Sequence, residues 1–108
     1  MASVSATPSA VSQSPSGPVK EFNVHGGMFY YNPKELSVNK GDTVKVTFIN
    51  DEGMHDFVID EFNARTPRIQ GGQSTTVQFV ADKAGSFQYY CSVGSHRAQG
   101  MWGTLIVK

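Results

Sequence analysis

The sequence predicts an all-β domain, an antiparallel Greek-key β-sandwich of seven or eight strands. Three observations support this. From Val19 onward, short runs alternate apolar and polar residues at period two. Turn-forming Gly, Asn and Asp residues separate those runs at close intervals. No run repeats its apolar residues at the period of an amphipathic helix.

Taken in order, Phe22 and Val24 alternate with polar neighbours ahead of a Gly26-Gly27 break. Leu36 and Val38 form a short strand that the turn Asn39-Lys40-Gly41-Asp42 ends. Val44, Val46 and Phe48 alternate with Thr43, Lys45 and Thr47, the clearest half-buried strand of the chain. His55, Phe57 and Ile59 share one face of the next strand. Thr75, Val77 and Phe79 follow a Gly71-Gly72 turn, and Ala84-Gly85 separates them from Phe87, Tyr89 and Cys91. Tyr89 and Tyr90 point to opposite faces, so one belongs to the core and the other is partly exposed. Leu105 and Val107 mark the last strand.

The opening segment has a different composition. Ala2 to Pro18 contains Ser, Ala, Thr, Pro, Val, Gln and Gly, with no charge and no aromatic ring. Such a stretch buries too little surface to offset its ordering entropy, so residues 1–18 read as a flexible tether or stalk before a folded domain at 19–108. It lacks the basic start and continuous apolar stretch of a signal peptide. A stalk here fits a secretion signal or membrane anchor preceding residue 1, and so a periplasmic or outer-face location. Nine basic residues balance nine acidic ones, which gives no electrostatic argument for nucleic acid or an anionic membrane. No apolar run approaches the ~20 residues of a membrane span.

The chemistry concentrates near the C-terminal end of the sequence. The single cysteine, Cys91, is separated from His96 by the four residues Ser-Val-Gly-Ser, and four more residues separate His96 from Met101. The loop joins the apolar runs Phe87–Tyr90 and Gly103–Val107, so Cys91, His96 and Met101 fall at one end of the sandwich. His55 must come from a strand near that end, 36 residues before Cys91, a separation a Greek-key route supplies. One thiolate, two imidazoles and one thioether form the ligand set of a blue-copper electron-transfer site. A plane of two imidazoles and a thiolate with a weak thioether suits both Cu(I) and Cu(II), so one copper ion cycling between them needs little rearrangement. Alone, Cys91 would read as a small buried apolar residue and Met101 as core filler; together with two histidines they point to copper.

The runs His55-Asp-Phe-Val-Ile59, Phe87-Gln-Tyr-Tyr-Cys91, His96 and Gly100-Met-Trp-Gly-Thr-Leu-Ile-Val107 resemble the cupredoxins, the family of plastocyanin, azurin and rusticyanin. The likeness covers about residues 19 to 108, and the ligand-loop spacing is similar to that of rusticyanin. The resemblance implies a copper-binding Greek-key sandwich that shuttles single electrons as a monomer. By this likeness His55, Cys91 and His96 match the in-plane ligands and Met101 the weak axial one. Two positions depart from the family's pattern. Asp56 stands where Asn or Ser is common, placed to hydrogen-bond the backbone near Ser92, and the bulky Trp102 follows the axial Met.

On this reading redox donor and acceptor dock near His96. Met28, Phe29, Pro33, Met54, Ala98 and Trp102 are the candidates for an apolar surround. His25, in Val24-His-Gly-Gly27, reads as a solvated turn histidine. Two other function classes compete: a small copper enzyme and a copper storage or delivery protein. Three histidines are too few for a second copper cluster, and four methionines with one cysteine are few for storage. An electron carrier without catalytic turnover therefore leads.

Overall fold

The computed structural model describes residues 18–108, which form two packed sheets. The strands are β1 (Val19–Gly27), β2 (Tyr30–Asn32), β3 (Glu35–Val38), β4 (Thr43–Asn50), β5 (Val58–Ile59), β6 (Ala64–Arg65), β7 (Ser74–Val80), β8 (Gly85–Tyr90) and β9 (Trp102–Val107). A 3₁₀ turn at Asp60–Phe62 separates β5 from β6. The first sheet has the order β2-β1-β4-β7 and the second β3-β9-β8-β5-β6. The tether expected over residues 1–18 falls, up to residue 17, outside the described residues. Pro18 already belongs to the domain's bonding, since its carbonyl accepts the Thr43 N–H at 3.1 Å.

The β-sandwich expected from the sequence is present, with one difference. Its sheets are mixed rather than antiparallel throughout, because β1 pairs with β4 and β3 with β9 in parallel. The cause lies in the route between β1 and β4. The chain reverses from β1 into β2, changes sheets across Pro33-Lys34 and continues through β3. The turn Asn39–Asp42, closed by Asp42 N–H to the Asn39 carbonyl at 3.0 Å, reverses it once more into β4. Two reversals leave β4 running the same way as β1. Alternation alone cannot reveal this, since a parallel and an antiparallel strand half-buried on one face share the same pattern.

The alternating runs supply the core as expected. Val24, Val44, Val46 and Phe48 from the first sheet meet Leu36, Ile59, Tyr89, Leu105 and Val107 from the second. Tyr31, Phe57 and Tyr89 form an aromatic cluster at the centre, with centroids 4.9–5.7 Å apart. Both buried phenols find acceptors, the Asp56 carbonyl at 2.5 Å for Tyr31 and the Pro33 carbonyl at 2.8 Å for Tyr89. Burial raises the pKa of each, so both stay neutral donors. Tyr90, on the opposite face, is half-buried.

Gly103 lets Tyr89 lie flat against β9. A Cβ there would fall 2.4 Å from two atoms of the Tyr89 ring, which is fully buried and packed on both sides. Gly103→Ala is therefore expected to destabilise the fold by about 1–3 kcal/mol through overpacking. Chemical denaturation of parent and variant measures it, and an unchanged midpoint would show that Tyr89 has room to move.

Candidate metal centre

The site forms where the chain crosses between sheets. Asn50 ends β4 and is fully buried, and its side-chain amide donates to the carbonyls of Gly53 at 2.7 Å and Ile69 at 2.9 Å. Its oxygen accepts from the Glu52 N–H at 3.3 Å. These bonds hold the turn 51–54 that delivers His55. The sequence reading missed Asn50; an Asn ending a strongly alternating strand just before Asp51-Glu52-Gly53 was the available signal.

His55 does not lie in a strand, contrary to expectation. It forms an isolated bridge to Ile69, giving its N–H to the Ile69 carbonyl at 3.0 Å and accepting the Ile69 N–H at 2.9 Å. Residues 55 to 59 are all buried, so no face alternation survives there. A segment that leaves one sheet for the other passes through the core, and only its last two residues, Val58 and Ile59, reach a ladder. The bridge still fixes the imidazole as a strand would.

Cys91 directly follows β8 and Met101 directly precedes β9. The register pairs Tyr90 with Trp102, and Cys91 N–H continues it to the Met101 carbonyl at 3.2 Å. The loop between them folds back on itself. His96 N–H bonds the Val93 carbonyl at 3.0 Å, and Met101 N–H bonds the His96 carbonyl at 3.0 Å. His96 is thereby drawn over the end of the hairpin, half-buried, while Cys91 and Met101 are buried. The methyl of Met101 packs near Gly26, 3.1 Å from where a Cβ would stand.

Three donor atoms converge here. His55 Nδ1 lies 3.1 Å from His96 Nδ1 and 3.8 Å from Cys91 Sγ, and His96 Nδ1 lies 3.6 Å from the same sulfur. The circle through these atoms has a radius of about 2.0 Å, close to the bond length from a first-row metal ion to imidazole. Burial, foremost, and the neighbouring His96 lower the His55 pKa, which keeps that imidazole neutral and able to donate a lone pair. A backbone interaction with Glu52 opposes the shift, yet Nε2 is buried without a hydrogen bond of ordinary geometry. Burial also raises the Cys91 thiol, so a cation must displace its proton. The donor set fits copper: one soft sulfur and two imidazoles at the corners of one small triangle. His55, Cys91 and His96 form a candidate copper site.

Asp56 stands directly behind it. Its carboxylate accepts the Ser92 N–H at 2.7 Å and the Ser92 hydroxyl at 2.5 Å, as its place beside His55 suggested. These two bonds tie the residue after His55 to the residue after Cys91. Phe29 packs on His96 with centroids 4.7 Å apart and meets His55 edge-on at 6.5 Å. Met28 and Met54 are exposed nearby, and Met28 Sδ would touch a Cβ on Gly53. Trp102 instead pairs with Tyr90, its ring under the Lys34 ammonium at 5.1 Å.

His25 is open to solvent as expected but does not lie in a turn. It lies within β1 and bonds the Asp51 carboxylate through Nδ1 at 3.0 and 3.2 Å. Asp51, 26 residues away in sequence, comes close because β1 and β4 run side by side, with His25 opposite Ile49.

Two packed sheets with a buried cysteine and two imidazoles at one end define a class of copper-binding domains. The family model described as a cupredoxin-like domain matches residues 2–107, and the chain belongs to that family. Plastocyanin of Nostoc punctiforme is 30% identical over 99 residues, covering 76% of this chain and 67% of its own. Nitrous-oxide reductase of Pseudomonas fluorescens is 36% identical over 83 residues, covering 72% of this chain but 13% of that enzyme. Among solved structures, dithionite-reduced auracyanin of Roseiflexus castenholzii superposes with a TM-score of 0.74 at 26% identity. That match covers 88% of this chain and 99% of auracyanin.

Proposed function

We propose that the protein is a one-electron carrier, with a single type 1 copper held by His55 Nδ1, Cys91 Sγ and His96 Nδ1 and weakly by the Met101 thioether. The convergence of those three atoms on a triangle with sides of 3.1, 3.6 and 3.8 Å carries the reading. Copper bound there supplies the Cu(I)/Cu(II) couple. The protein's part is to keep the donors still. His55 is pinned by the Ile69 bridge, Cys91 by the hairpin, and His96 by the Met101 N–H and the Phe29 ring. Donors that barely move between oxidation states leave little reorganisation to oppose electron transfer. Burial of Cys91 shields its sulfur from oxidation.

The half-buried His96 is the outlet, and redox donor and acceptor dock on the apolar surround of Met28, Phe29 and Met54. Such redox contacts are small, below about 1,200 Å². The protein works outside the cytoplasm as a monomer, with residues 1–18 as a tether toward a membrane anchor. The similarity to nitrous-oxide reductase favours a second reading, that the fold also serves as one copper domain of a larger enzyme. Against an independent enzyme stand the three histidines of the chain, two of them already committed to the site.

Adding Cu(II) to the metal-free protein should give an intense visible thiolate-to-copper band, with one copper bound per chain. A colourless complex would overturn the proposal. Met101→Gln should keep copper bound and lower the reduction potential by on the order of 100 mV, because a hard amide oxygen favours Cu(II) over Cu(I). Cyclic voltammetry measures it, and an unchanged or higher potential would remove Met101 from the ligand set.

A further inference from the structure

Net neutrality conceals an uneven distribution of charge. All three arginines of the chain, Arg65, Arg68 and Arg97, gather on the outer face of the second sheet near the end that carries Cys91. Trp102, Tyr90 and Arg65 stand in one register row across β9, β8 and β6, with the buried Val58 of β5 between Tyr90 and Arg65. The Arg97 guanidinium lies 3.8 Å over the Tyr90 ring and donates Nε to Gln88 Oε1 at 2.7 Å. Arg68 reaches the Ser92 carbonyl at 3.4 Å, and Lys34 covers Trp102. The carboxylates on the same face are Asp60, which accepts the Tyr90 hydroxyl at 2.8 Å, and Glu35 at the far edge on β3. Among the described residues the ion pairs are Lys20–Asp42 and His25–Asp51, so none of the three arginines is neutralised by a carboxylate. Asp51 and Glu52 lie on the loop after β4 that leads into His55; they share the site's end of the sandwich but stand on the side of the first sheet, where Asp51 bonds His25 of β1. Cations collect by β8.

We propose that this aromatic and cationic row is a docking surface for the carboxylates of an acidic redox-protein partner, steering it onto the end of the sandwich that carries His96. The nature of the partner rests on the electron-carrier reading; the recognition of carboxylates rests on the face alone. Guanidinium groups match carboxylates in geometry and lose little freedom on binding when already held, as Arg97 is by Tyr90 and Gln88. Arg, Trp and Tyr are also the residues that concentrate binding energy at protein interfaces. Single-stranded nucleic acid fits less well. It needs free ring faces for base stacking, and here Lys34 lies over Trp102 and Arg97 over Tyr90. A cationic face beside the site orients an encounter more than it strengthens the final affinity, which suits a partner that must leave quickly.

The test is an amide and indole NMR titration of the full chain with hexaglutamate at low ionic strength. Shifts should centre on Lys34, Arg65, Arg68, Tyr90, Ser92, Arg97 and the Trp102 indole, and should collapse near 0.15 M salt, where the screening length shrinks to about 8 Å. Replacing Arg65 and Arg68 together by Gln should weaken binding by on the order of tenfold. Lys45→Gln, on the first sheet, should leave it unchanged. Shifts centred elsewhere, indifference to the double replacement, or no response to hexaglutamate would overturn the proposal. So would stronger binding, at this face, of an oligothymidylate or of phosphatidylglycerol vesicles. The titration needs no bound copper, so a missing visible band would sink the electron-carrier reading and leave this result standing.

Discussion

Cys91→Ser is expected to abolish the visible thiolate-to-copper band completely and to leave, at most, a weakly coloured complex of two imidazoles. The chain has one cysteine, so no other thiolate can replace it. A serine hydroxyl keeps its proton at neutral pH and offers a hard oxygen that Cu(I) disfavours. The fold should tolerate the change, because Cys91 is held by its backbone bond to Met101 and the new hydroxyl has His55 and His96 nitrogens at its side. Absorption spectroscopy and metal analysis of the copper-loaded variant measure the effect; an intense band surviving in Cys91→Ser would refute the assignment. The parent protein adds a pH test. Burial raises the Cys91 pKa, so the metal-free thiol is protonated at neutral pH and copper binding releases that proton. Apparent affinity should therefore fall about tenfold for each unit of pH lost below the thiol pKa. His55 does not steepen that slope near neutrality, since its own pKa is lowered and its ring is already neutral there. A chelator competition between pH 6 and 8 reads the slope.

Much of the fold could be read from the chain because its signals are local. Val44, Val46 and Phe48 alternate with polar residues in sequence and face the core in the structure. The turn at Asn39–Asp42 and the hairpin that brings Cys91 beside Met101 are likewise written in neighbouring residues. The loop spacing alone was enough to bring Cys91 and His96 together. What escaped was set by the path between sheets. The parallel pairing of β1 with β4 depends on a sheet change at Pro33-Lys34, which leaves no mark on period-two alternation. His55 was expected in a strand because His55, Phe57 and Ile59 alternate, yet that segment is buried on both faces and joins a ladder only at Val58. The bonds of His25 to Asp51, 26 residues away, and of Asn50 to the Ile69 carbonyl, 19 away, escaped because both partners are distant in sequence. Asp56 was different. It follows His55, and Ser92 follows Cys91, so a shared site for His55 and Cys91 puts Asp56 within reach of Ser92.

Asp56→Asn is expected to raise the reduction potential by about 50–100 mV while leaving the fold nearly as stable as the parent. The carboxylate is buried, one residue from His55, and fastened to the residue after Cys91 by two hydrogen bonds of 2.7 and 2.5 Å. A negative charge held this close favours Cu(II) over Cu(I), because the oxidised ion carries one more positive charge to attract it. The asparagine side chain has the same shape. Its carbonyl oxygen can accept the Ser92 N–H, and its amide can donate to the Ser92 hydroxyl, which turns to accept. Both tethers between the two ligand segments survive, and only the charge is lost. Asp56→Ala removes the tethers as well. It leaves the Ser92 N–H without its acceptor, which costs about 1–3 kcal/mol, and frees the start of the His96 loop. That variant should unfold at lower denaturant and show a broadened copper spectrum, whereas Asp56→Asn should show neither. Voltammetry and denaturant titration on the pair separate charge from tether: a potential that rises in Asn and a stability that falls only in Ala. If the Asn variant kept the parent potential, Asp56 would be acting as a tether alone.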